Sequence, residues 1–91
     1  MRLIETEMNE AIRDGGYWAK DNTRVEPVHF SGGAVVFLHG HNIAHVSNGG
    51  VVVNVETLRN WPTRTTMSRL RALGVDVCTR KGEVLLNGEA I

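Results

Sequence analysis

Cysteine is scarce in this chain: Cys78 is its one cysteine among 91 residues. No intrachain disulfide can form, and a reducing, cytoplasmic setting is the expectation. Long apolar runs are missing too. None approaches the roughly 20 residues of a bilayer-spanning helix, so no membrane partner is expected. The N-terminal stretch mixes carboxylates with apolar side chains. It lacks the basic start and unbroken apolar segment of a secretory signal. Net charge is absent as well, with ten basic residues set against ten acidic ones.

What is present suits a small globular protein. Hydrophobic residues make up 42% and charged residues 22%, far from the disordered class. Residues 1–91 give room for one domain with one core, and a chain this short is only marginally stable. The charge is unevenly spread. Residues 1–58 hold four basic and seven acidic groups, a net of −3. Residues 59–81 hold six basic groups, Arg59, Arg64, Arg69, Arg71, Arg80 and Lys81, against Asp76 alone, a net of +5. Such a segment suits an anionic partner. It equally suits the acidic first helix, within the fold or across a homo-oligomer.

Hydrophobic spacing divides the chain into an α+β order: N-terminal helix, antiparallel β-meander, amphipathic helix, C-terminal β-hairpin. Leu3, Ile4, Met8, Ala11 and Ile12 recur at helical spacing, with Glu5, Glu7, Glu10 and Asp14 read as a solvated face. Gly15-Gly16 ends the helix, and Tyr17-Trp18 is expected to fold back over the sheet as an aromatic lid. Strands are predicted at Thr23–Phe30, with Pro27 pushing it toward a sheet edge, and at Ala34–Leu38, Asn42–Val46 and Val51–Val55. Ser31-Gly32-Gly33 and His39-Gly40 are turns, and Asn48-Gly49 is the strongest hairpin signal. Val55–Trp61 predicts a short helix stopped by Pro62. Thr63 or Thr65 then caps a second helix ending at Leu73 and Gly74. On it Thr66, Met67, Leu70 and Leu73 take one side, and Arg64, Thr65, Ser68, Arg69 and Arg71 the other. Val75–Thr79 and Glu83–Ile91 complete the chain as strands turned at Asn87-Gly88.

A short repeat links the two halves. Val36–Ile43 and Val84–Ile91 both read V-x-L-x-G-x-x-I. The pattern sets Leu38 opposite His41 and Val36 opposite Ile43, then Leu86 opposite Glu89 and Val84 opposite Ile91. Turn geometry and packing explain it, so it marks scaffold.

The residues offer little catalytic chemistry. His39, His41 and His45 lie close in sequence, with His29 on the neighbouring strand. Two of them flank a turn where side chains diverge, and no carboxylate or cysteine stands near enough in sequence to complete a metal site. Cys78 reads as a packing residue in a strand. No nucleophile elbow, phosphate loop or carboxylate pair in an apolar setting is present. A non-enzyme with no metal or cofactor is the expectation.

The basic helix is the candidate contact surface, comprising Arg59, Arg64, Ser68, Arg69, Arg71, Arg80 and Lys81. A short helix, a Pro-Thr turn and an arginine-bearing helix resemble a helix-turn-helix, with the following hairpin as a wing tipped by Arg80-Lys81. Duplex DNA is then a possible partner. Zero net charge and the shortness of the first helix speak against it. The bland alternative is a solvated arginine face closing one side of the sheet.

Val36–Ala44 (V-x-L-H-G-x-x-I-A), Trp61–Leu73 (W-x-T-x-T-T-x-x-R-L-x-A-L), Met8–Ile12 and Leu86–Ile91 together resemble a family of small accessory proteins encoded by tailed bacteriophages. The resemblance spans most of the chain. It implies a phage product acting in the bacterial host's cytoplasm by binding a host protein such as a polymerase, nuclease or defence component. It carries over no functional residues.

Overall fold

A computed structural model describes residues 2–28, 32–47 and 50–91. The Asn48-Gly49 turn, the end of the first predicted strand at Phe30, the turn residue Ser31 and His29 lie outside the described residues. The expected α+β order is observed. Helix α1 (Leu3–Asp14) precedes five strands, β1 (Trp18–Lys20), β2 (Thr23–Val28), β3 (Gly33–Leu38), β4 (His41–Ser47) and β5 (Gly50–Val53). Helices α2 (Val55–Asn60) and α3 (Arg64–Ala72) follow, then β6 (Val77–Arg80), β7 (Glu83–Leu86) and β8 (Glu89–Ala90). The first five strands form an antiparallel meander in sequence order, and the last three form a second antiparallel sheet. No helix among the described residues is long and apolar enough to cross a membrane.

Local chemistry sets the helix ends. Asn54 Oδ1 accepts from the Thr57 N–H at 3.1 Å and Thr63 Oγ1 from the Thr66 N–H at 3.1 Å, so each short helix has an N-cap. Gly15 closes α1 in the left-handed region at φ 72°, a conformation glycine adopts without steric cost. Three of the hairpins share one device. His39-Gly40, Lys81-Gly82 and Asn87-Gly88 all have positive φ at both residues, the requirement of a type I′ turn.

Alternation along the strands gives the large sheet a buried and an open face. Val25, Ala34, Val36, Leu38 and Ala44 are buried with Met8 of α1, Leu58 of α2, Leu70 of α3 and Val77 of β6. Arg24, Glu26, Val35, Phe37, His45 and Val52 take the opposite face by alternation. There the Arg24 guanidinium stacks 4.3 Å from the Phe37 ring centroid, and its Nε lies 2.7 Å from Glu26 Oε2.

Four expectations need correction. Tyr17-Trp18 is no lid: Trp18 opens β1 and pairs with Val25, while Tyr17 is exposed. β2 is an inner strand, yet Pro27 still sits where no neighbour needs its missing N–H. β1 pairs only with Thr23–Val25, so Pro27 has β3 on one side alone. In the first repeat Leu38 faces His41 as expected, but Val36 faces Ala44, because a bulge makes Ile43 an extra residue. Both Ile43 and Ala44 are buried as a result. The second copy keeps the simple register, with Leu86 opposite Glu89 and the Ile91 N–H donating to the Val84 carbonyl at 3.2 Å.

The fourth correction concerns two charged residues read as solvated. Glu5 and Arg69 are 3% and 4% exposed. Projected at 100° per residue, Arg69 lies only about 40° from Leu73, and Glu5 lies on the Met8–Ile12 stripe of α1. Where α1 crosses α3, these two positions meet.

Candidate binding surface

Arg69 and Glu5 form a closed network. Arg69 Nη1 donates to Glu5 Oε2 at 2.7 Å, and Arg69 Nε donates to Thr23 Oγ1 at 3.0 Å. Ser68 Oγ donates to the same Glu5 oxygen at 2.5 Å, and the Arg2 backbone N–H reaches Glu5 Oε1 at 3.4 Å. Burial pushes the Glu5 carboxyl up, but the bonds from Ser68, Arg69 and Arg2 and the Arg69 charge outweigh it, so the pKa falls below its ordinary value. Arg69 therefore belongs to the core and leaves the set of contact residues.

The remaining α3 cations gather on one groove. Arg64 and Arg71 stand seven residues apart, two helical turns, and so share a face with Ser68 between them. Arg71 Nε donates to the Val77 carbonyl at 2.9 Å, which ties the side chain to β6. Arg2, at the N-cap of α1, arrives beside them because α1 packs on α3. Together with Met67, Cys78 and Thr79 these residues line a groove of about 440 Å³. No carboxylate lines it, and among the described residues Arg2, Arg64 and Arg71 have no ion-pair partner. Arg2 was not among the residues singled out from the sequence, where it is an isolated cation in an acidic segment.

Arg59, Arg80 and Lys81 do not join this groove. Arg59 lines a separate cleft with Pro62, Gly82, Glu83 and Val84. Arg80 and Lys81 are exposed at the β6–β7 turn.

The three described histidines make different contacts. His39 sits in its turn with Nε2 3.3 Å from Asn22 Nδ2. His41 stacks on Trp61, ring centroids 5.2 Å apart. His45 lies on the open face of the sheet, its Nε2 buried without a hydrogen-bond partner among the described residues. No three His, Cys, Asp or Glu side chains among those residues come together as a metal-binding group. Beneath the His41–Trp61 stack, Leu38, Ile43, Thr57 and Thr66 help enclose an apolar cavity of about 120 Å³. Trp61 over that cavity is half exposed. Its stacking partner comes from a distant hairpin, so the pattern around Trp61 alone could not show it.

A family model described as Kyanoviridae Gp96 protein matches residues 1–90. No curated protein and no solved structure matches the chain.

Proposed function

We propose that this chain, which belongs to the Kyanoviridae Gp96 protein family of small phage proteins, is a non-enzymatic accessory protein that binds a host protein. It acts in the host cytoplasm, in host takeover or against host defence, and its contact surface is the arginine groove of α3. The observation that carries the reading is the gathering of Arg2, Arg64 and Arg71 around one concave surface with no carboxylate in its wall. Exposed arginines in a concave patch, which a partner would bury on binding, are typical anchors of protein interfaces. An acidic surface on the host protein is the complementary shape and charge.

A second reading rests on element order. α2, α3 and the β6–β7 hairpin succeed one another as in a winged helix, with Arg80 and Lys81 exposed at the hairpin turn. Against it, α2 has six residues and the burial of Arg69 removes one cation from α3. Capture of host proteins on the immobilised chain after nuclease treatment separates the two readings. A specific host protein retained after nuclease supports the protein reading. Loss of all specific material with the nucleic acid overturns it. In that case affinity for duplex DNA falls steeply with salt, and Arg64→Ala with Arg71→Ala flattens the slope.

A further inference from the structure

The two edges of the five-stranded sheet differ. β1 is three residues long and carries Lys20, paired with Glu7 at 3.2 Å. Short, charged edges discourage strand addition. β5 has the sequence Gly50-Val51-Val52-Val53, with no charge, no proline and no register shift against β4. Val52 on this strand is 68% exposed.

The open main-chain groups on β5 can be named. The Asn54 N–H donates to the Ile43 carbonyl at 2.9 Å, and bonded pairs alternate along an antiparallel ladder. Val52 is therefore in a bonded pair with His45, its partner in register. By the same alternation the N–H and C=O groups of Val51 and Val53 point away from β4. Among the described residues, neither makes a main-chain bond outside the ladder.

We propose that a second copy of this chain adds to β5 antiparallel, about a twofold axis at Val52, joining two five-stranded sheets into one. Val51 then exchanges main-chain bonds with the partner's Val53, and Val53 with the partner's Val51. Val52 faces the partner's Val52 in the narrow, non-bonded position, Cα atoms about 4.5 Å apart. A twofold contact requires a strand that reads well against itself, and three consecutive β-branched residues centred on the axis do so. Zero net charge leaves no long-range repulsion between copies. One strand pair is far below the roughly 1,200–2,000 Å² of a stable interface. The dimer is accordingly reversible and concentration-dependent. This surface is separate from the arginine groove, and the proposal does not depend on what that groove binds.

Sedimentation equilibrium from micromolar to millimolar protein tests it. The expected result is a mass rising toward twice the monomer, and a Val52→Lys variant that stays monomeric with an unchanged circular dichroism spectrum. Covalent trapping is the second measurement, in a Cys78→Ser background to remove the native thiol. Val52→Cys is expected to form an intermolecular disulfide under mild oxidation, because the axial spacing falls within the about 4.4–6.8 Å that disulfides span. Thr6→Cys, exposed on α1, serves as the collision control. A chain monomeric throughout, a dimer that persists in folded Val52→Lys, or Val52→Cys crosslinking no faster than Thr6→Cys overturns the proposal. If Val52→Lys fails to fold, the crosslinking rate decides alone.

Discussion

Arg69 reaches across from α3 to Glu5 of α1 at 2.7 Å, with both side chains 4% exposed. The pair joins two elements 64 residues apart in sequence, and Ser68 and Thr23 fill further bonding positions around it. A buried ion pair is not by itself a large source of stability, because desolvation offsets its attraction. Removing one member, however, strands the other charge.

The single variants Arg69→Met and Glu5→Leu should each destabilise the fold by about 3–5 kcal/mol. The double variant Glu5→Leu with Arg69→Met should cost less than the two singles combined, since it strands no charge. Urea unfolding of the three variants measures this. Equal additive losses would show that the pair is not coupled.

The lowered pKa of Glu5 gives stability a pH dependence of known sign. The folded-state pKa lies below the ordinary glutamate value of 4.5. The contribution is therefore complete above that value and lost as pH falls through the depressed one. Wild-type stability should decline in acid with a step that Glu5→Gln lacks. Ser68→Ala, which removes the hydrogen bond that lowers the pKa most, should move that step to higher pH.

Gly33 opens β3 beside β4, where an added Cβ would collide with the Val46 carbonyl oxygen. That oxygen is main chain and cannot swing aside. Gly33→Ala should therefore destabilise by about 1–3 kcal/mol, whereas alanine in place of the open-space Gly16 should change little. Thermal melts of the two variants check the contrast.

The two sequence periods, the caps and the X-Gly turns carried most of the fold. Pro62 and Thr63 placed the α2–α3 corner because each acts within three or four residues. The bulge at Ile43 was not legible, since V-x-L-x-G-x-x-I fits both a regular and a bulged hairpin and only burial of both Ile43 and Ala44 distinguishes them. Arg69 was misread because charge was weighed above angle, although its spacing from Thr66 and Leu73 already set it near the apolar side. Arg64, Ser68 and Arg71 were legible as a stripe by their helical spacing. Arg2 was not, because only the crossing of α1 over α3 brings it to them.

The most direct test of the arginine groove compares proteins captured from host lysate by three forms of the chain: wild type, Arg64→Ala with Arg71→Ala, and Arg13→Ala. All three cations are exposed, but Arg71→Ala also gives up the bond to the Val77 carbonyl, so retention is compared only once each variant's circular dichroism spectrum matches wild type. A host protein retained by wild type and by Arg13→Ala but lost from the Arg64/Arg71 variant is the predicted result. Equal retention by all three would contradict a binding surface on α3.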